Sequence, residues 1–232
     1  MSLFTTRLIG AMLVVLLVMA LMLPYILLHP VSAPANGFLE SAAPMASTIR
    51  ACLVMLLIGA AAPVAISIML WSGLSESHPR LGLSLLVIAI INATFQLIEN
   101  AQWLSLMSLS QAAMGEPGGT AAVSPLLAGA VRASWRWLHY THISVVVIWL
   151  FTLFLTFFWS RAVPRAIATA GLVAAPLHIF GIVLPVFGGY RMFMPDAFGA
   201  PLAFAISALA LWLMVKGFRS DATLTGTGRP HT

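Results

Sequence analysis

The chain carries almost no charge. Only 7% of its 232 residues are Asp, Glu, Lys or Arg, against roughly 25% in soluble domains, and that rules out an ordinary water-solvated surface. There is one cysteine, Cys52, and it sits in an apolar run, so a single chain can build neither a disulfide framework nor a thiolate metal cluster. Its expected role is that of a small core residue. The only lysine, Lys216, stands near the end of the last apolar run, which leaves a retinal-type Schiff base at mid-membrane without a partner. No G-x-S-x-G, Walker A or G-x-G-x-x-G frame occurs. Serines and threonines inside apolar helices bond to carbonyls one turn back more often than they act as nucleophiles. The formal net charge of +5 does not point to nucleic acid, because the chain lacks a basic run, basic-aromatic interleaving and zinc-finger spacing.

What the chain has in place of charge is hydrocarbon. Hydrophobic residues make up 61% of it, and the mean hydropathy is +1.02. Six apolar runs are bounded by charge, proline or glycine: 8–28, 49–71, 83–109, 138–159, 167–187 and 200–215. Most reach the ~20 residues needed to cross a ~30 Å hydrocarbon core. None alternates with period two, and backbone groups in lipid must be paired within the segment, so the runs are helices and not barrel strands. The first run is longer than the 7–15 residues of a typical secretory h-region and reads as a span. The expectation is an all-α polytopic protein, a single six-span domain over 1–218 with a polar tail over 219–232. Pro63, Pro176 and Pro185 lie inside runs and are expected to kink the second and fifth helices.

Orientation follows from the basic residues. With both termini cytoplasmic, that side holds Arg7, Arg80, Arg161, Arg165, Lys216, Arg219 and Arg229, and the other holds Arg50, Arg132, Arg136 and Arg191. Trp103, Trp135 and Trp137 then fall near the outer boundary and Trp71 and Trp159 near the inner one, as an aromatic belt requires.

Against this background the segment Asn92 to Trp103, NATFQLIENAQW, is anomalous. Asn92, Gln96, Glu99 and Trp103 are spaced by four, three and four residues and form one stripe along the third helix. Glu99 is the one acidic residue inside a run, and a carboxylate there costs several kcal/mol unless it is compensated. The fourth run opens with ASWRWLHYTHIS, which puts His139 and His142 on one face. At 1.5 Å per residue, Glu99 lies roughly 24 Å from the inner end of its run, and His142 roughly 6 Å below the outer end of its own. The two are therefore level in a ~30 Å core. His178 is reached about 16 Å up the fifth run, and Arg136 and Arg191 stand close enough above to reach down.

These nine residues define a candidate pocket in the outer half of the bilayer: Asn92, Gln96, Glu99, Trp103, Arg136, His139, His142, His178 and Arg191. As a structural cluster it would fix helix register. As a working site it would bind a small organic or lipid-like ligand in a non-catalytic or accessory protein, or support a larger membrane complex or homo-oligomer. The alternative is a membrane enzyme or redox protein holding a transition metal or haem through His139, His142, His178 and Glu99, since imidazole suits Zn, Cu and Fe. H-x-x-H without the glutamate of H-E-x-x-H is common by chance. Proton-coupled transport lacks the inverted repeat that many transporters show.

The stretch TLFLTFFWSRAVPRAIATAGLVAAPLHIFG and the segment SALALWLMVKGF resemble a bacterial family of multi-span membrane proteins known only as a domain of unknown function. In that family a histidine opens the fourth helix, an R-S-x-x-x-P-R-like turn joins it to the fifth, and a W-L-hydrophobic-V-K-G segment closes the last. His139, the turn from Ser160 to Arg165, and Trp212 to Gly217 occupy those places here. The resemblance implies a compact six-helix bundle in a bacterial cytoplasmic membrane and brings no activity with it.

Overall fold

The computed structural model describes residues 2–23, 27–28, 38–115, 125–184 and 194–219. Arg191, Pro185 and the tail beyond Arg219 lie outside the described residues. Seven helices occur among them: α1 Leu3–Met22, the short α2 Phe38–Ala42, α3 Ala46–Ser77, α4 Pro79–Gly115, α5 Pro125–Ser160, α6 Arg165–Val183 and α7 Met194–Val215. No strand occurs among the described residues. All but α2 are long and apolar enough to cross a membrane. The helices also leave large apolar side chains bare, such as Phe4 at 76% and Phe204 at 77% exposure, and in water such surfaces would be an aggregation liability. The chain is thus an all-helical, multi-pass membrane protein.

Helix ends extend past the apolar runs that sequence marks. α5 begins at Pro125, where hydropathy alone places the start at Leu138. The 37 residues of α4 and 36 of α5 reach about 54–56 Å, far beyond a ~30 Å core. Hydropathy finds only the part of a helix that sits in lipid, whereas backbone hydrogen bonding continues until a cap or breaker intervenes. α3 and α6 continue through Pro63 and Pro176 as single elements.

Local chemistry explains the stops. α5 ends at Ser160, the following Arg161 takes a left-handed φ of 55°, and Pro164 then stands as the N-cap of α6. The residue before a proline avoids helical geometry, so the two helices cannot merge. α7 ends at Val215, and Gly217 just beyond it has φ 72°. The amides of Lys216 and Gly217 both donate to the Trp212 carbonyl, at 2.8 and 3.2 Å, the use of a left-handed glycine to satisfy orphan carbonyls.

The chain divides into two compact units. The first comprises 1–17, 61–92 and 143–232. Its core is aliphatic and aromatic: Ile9, Leu13, Ile66, Leu70, Leu85, Trp149, Leu153, Phe154 and Phe157 are all essentially inaccessible. Close approach here depends on glycine. A Cβ on Gly171 of α6 would lie 2.3 Å from the Phe154 ring of α5, and one on Gly10 of α1 would lie 2.9 Å from the Ala210 carbonyl oxygen of α7. α6 and α7 pack along each other, with Gly181 against Phe198. The buried hydroxyls of Thr6, Thr152 and Thr156 donate to carbonyls four residues back, while the Trp149 indole donates to Ser67 Oγ at 3.2 Å and that hydroxyl donates to the Pro63 carbonyl at 2.7 Å.

The second unit comprises 18–60 and 93–142. Leu23, Leu28, Ala42, Ile49, Cys52, Leu53, Trp103, Leu106 and Met107 form its apolar core. Its ties between helices are polar. Ser110 of α4 donates to the Leu39 carbonyl of α2 and accepts from the Ala43 amide at 2.9 Å.

Candidate functional site: a glutamate held by two histidines

The candidate site is built on the α4–α5 pair. Glu99 is sixteen residues before Gly115, the last residue of α4, and His142 is seventeen after Pro125, the first of α5. At 1.5 Å per residue these are roughly 24 and 26 Å from the intervening connection. Two antiparallel helices bring residues equidistant from their connection side by side. The two side chains therefore meet, although both lie much farther from a helix end than the apolar runs imply.

The meeting is a three-residue cluster. His139 Nδ1–H donates to Glu99 Oε1 at 2.7 Å, and His142 Nδ1–H donates to Oε2 at 2.6 Å. Each carboxylate oxygen thus has its own imidazole, and the i, i+3 spacing on α5 is what lets one helix present both. N–H donors to a carboxylate form charge-assisted bonds roughly twice as strong as neutral ones. They are the compensation that a carboxylate in a membrane helix requires. Glu99 is 5% exposed and His142 7%, whereas the His139 side chain is 32% exposed. The cluster is therefore closed on the His142 side and open on the His139 side.

Aromatic rings frame the open side. Trp135, one turn before His139 on α5, stacks on its imidazole with centroids 5.5 Å apart and planes 18° apart. Trp135 meets Trp103 of α4 edge to face at 4.9 Å, a favourable quadrupolar arrangement. The Trp135 indole nitrogen is buried and has no hydrogen-bond partner among the described residues.

The rest of the α4 stripe is a polar chain of its own. Asn92, Gln96, Glu99, Asn100 and Trp103 are all buried. Gln96 Nε2 donates to Asn100 Oδ1 at 2.9 Å, and Asn100 Nδ2 donates to the Leu53 carbonyl of α3 at 3.1 Å. Asn100 and Trp135 are the two participants that sequence reasoning missed. Asn100 had a signal, four residues after Gln96 and so on the same face. Trp135 had the same spacing to His139, but its position at the expected membrane boundary gave it a different explanation.

The other expected members stand as follows. Arg136 is exposed on α5. His178 belongs to the first unit, where a Cβ on Gly199 of α7 would sit 3.1 Å from its Cε1 and Nε2. Arg191 is among the residues not described. Among the described residues no group of three or more His, Cys, Asp or Glu side chains is placed to hold a metal ion.

Fold and site together define a class: a multi-pass helical membrane protein with a buried glutamate–histidine cluster between two of its spans. The chain belongs to the DUF4386 family, a domain of unknown function whose model matches residues 8–217. The family expected from the C-terminal motifs is thus shown, and the match takes in the N-terminal half as well. No curated protein and no solved structure matches the chain.

Proposed function

We propose that this protein is a non-catalytic or accessory component of a bacterial cytoplasmic membrane, with both termini cytoplasmic, that binds a small organic or lipid-like ligand at Glu99, His139 and His142. One observation carries the reading: the cluster is lopsided. Register alone would be fixed by Glu99 and His142, both buried. The second imidazole is a third exposed and stacked on Trp135, whose buried indole N–H has no hydrogen-bond partner among the described residues. Binding sites combine apolar and aromatic walls with a few placed polar groups, and the open side of this cluster has that composition. Gln96 and Arg136 stand on the same two helices.

The test is chemical analysis of small molecules that copurify with the detergent-extracted protein, wild type against His139→Gln. Binding at the open side predicts a molecule held by the wild type and lost from the variant while thermal stability changes little. Equal retention of the same molecules by both proteins would overturn the reading.

A second reading has one observation in its favour. Metal-ligating histidines commonly donate their other ring N–H to a carboxylate, and His139 and His142 both do so through Nδ1. In that reading Glu99 orients the ligands rather than binding the metal or haem, and ligation falls to the Nε2 atoms. Stoichiometric iron, copper or zinc that is lost in His142→Ala would favour it over the first.

A further inference from the structure

A separate feature lies in the first unit, on α6. A surface groove is lined by Arg165, Ala166, Thr169, Ala170, Val173, Ala174 and Leu177 of α6 and by Pro201 of α7. Its floor is small and apolar, and its mouth is a guanidinium. From Arg165 to Leu177 it runs about 18 Å along a membrane-crossing helix. That is close to the ~15 Å depth of hydrocarbon in one leaflet.

The mouth is more basic than one arginine. The Arg219 amide donates to the Ala162 carbonyl at 3.0 Å, and Phe218 packs against Phe157 with centroids 5.7 Å apart. These contacts fasten the end of α7 to the turn between α5 and α6. Arg161, Arg165, Lys216 and Arg219 are thereby gathered at one end of the unit, all of them exposed. Arg165 is also held in place, its guanidinium 5.7 Å from the centre of the Phe158 ring. Thr169, exposed one turn further along the groove, adds a hydroxyl below it.

We propose that this groove is a binding site for one anionic phospholipid. Its phosphate would sit at Arg165, and an acyl chain would lie along Ala166, Ala170, Val173 and Leu177 towards Pro201. Basic pockets between membrane helices are the usual receptors for anionic headgroups. Here the cation and the apolar track are in the order, and at the separation, that a phospholipid standing in one leaflet presents. The site is independent of Glu99 and its histidines.

The experiment is native mass spectrometry of the full chain in detergent, titrated with phosphatidylglycerol and with phosphatidylcholine of identical acyl chains. The expected result is tighter retention of the first phosphatidylglycerol. Retention should weaken about fivefold in Arg165→Gln, the effect of one basic residue on an anionic headgroup, and fall at least as far in Ala170→Trp, which blocks the track while leaving the charge in place. Arg50→Gln, an exposed arginine of the other unit, should change nothing. The proposal is overturned if phosphatidylcholine is held equally well, if Ala170→Trp retains lipid like the wild type, or if Arg50→Gln weakens binding as much as Arg165→Gln.

Discussion

The two compact units solve the same problem in opposite ways. The first joins helices largely by shape: Gly171 admits the Phe154 ring, Gly10 admits the α7 backbone, and the buried hydroxyls of Thr6, Thr152 and Thr156 donate to carbonyls four residues back in the chain. The second joins helices by hydrogen bonds: Glu99 to two imidazoles, Asn100 to the Leu53 carbonyl, and Ser110 to α2. In lipid there is no hydrophobic drive between helices, so association rests on close packing and on interhelical hydrogen bonds. The chain uses each device in a different place. Packing fixes geometry without offering chemistry. Hydrogen-bonded polar groups do both, and the candidate ligand site accordingly lies in the second unit.

Four substitutions and one glycine control separate these devices, and each is read by thermal unfolding in detergent. The largest effect is expected from His142→Ala, which removes one of two donors from a buried carboxylate. Breaking a buried charged pair costs about 3–5 kcal/mol. In the first unit, Gly171→Ala forces a methyl into the Phe154 ring, and overpacking costs about 1–3 kcal/mol. The same methyl at exposed Gly129, with nothing within 4 Å of it, should not destabilise the protein. Asn100→Ala deletes a neutral bond to a backbone carbonyl and should cost about 1 kcal/mol, near the scale of single polar contacts in membrane bundles. His139→Gln should be the mildest of the four, at most about 1 kcal/mol, because the amide can donate to Glu99 from a partly exposed position. If His139→Gln proved as damaging as His142→Ala, the division into a closed and an open side would fail.

Much of the fold was legible in the sequence because lipid imposes one rule, that helices must be apolar over a bilayer's thickness. Where that rule stops, so did legibility. Pro125 to Trp137 is helical but lies ahead of the expected span, since Arg132 and Arg136 break the apolar run without breaking the backbone bonds. The pairing of Glu99 with the α5 histidines followed from comparing depths, although the depths used measured only the apolar parts. That both histidines bind the same carboxylate was not legible, because an i, i+3 spacing says which face they share and not which atom they reach. Trp135 was hidden by its own plausibility as a belt residue, and Asn100 by standing next to the more conspicuous Glu99. The phospholipid groove had no signal of its own, because its floor residues read as ordinary membrane helix and Arg165 as an orientation marker.

The central structural claim is that one carboxylate holds two imidazoles through their Nδ1–H groups. Magnetic resonance of protein labelled with ring-15N histidine tests it most directly. The account predicts two strongly hydrogen-bonded Nδ1–H signals in the wild type, assigned to His139 and His142 by single substitution. At most one should remain in Glu99→Gln, whose amide offers one acceptor oxygen in place of two. Fewer than two such signals in the wild type, or both of them persisting in Glu99→Gln, would contradict it.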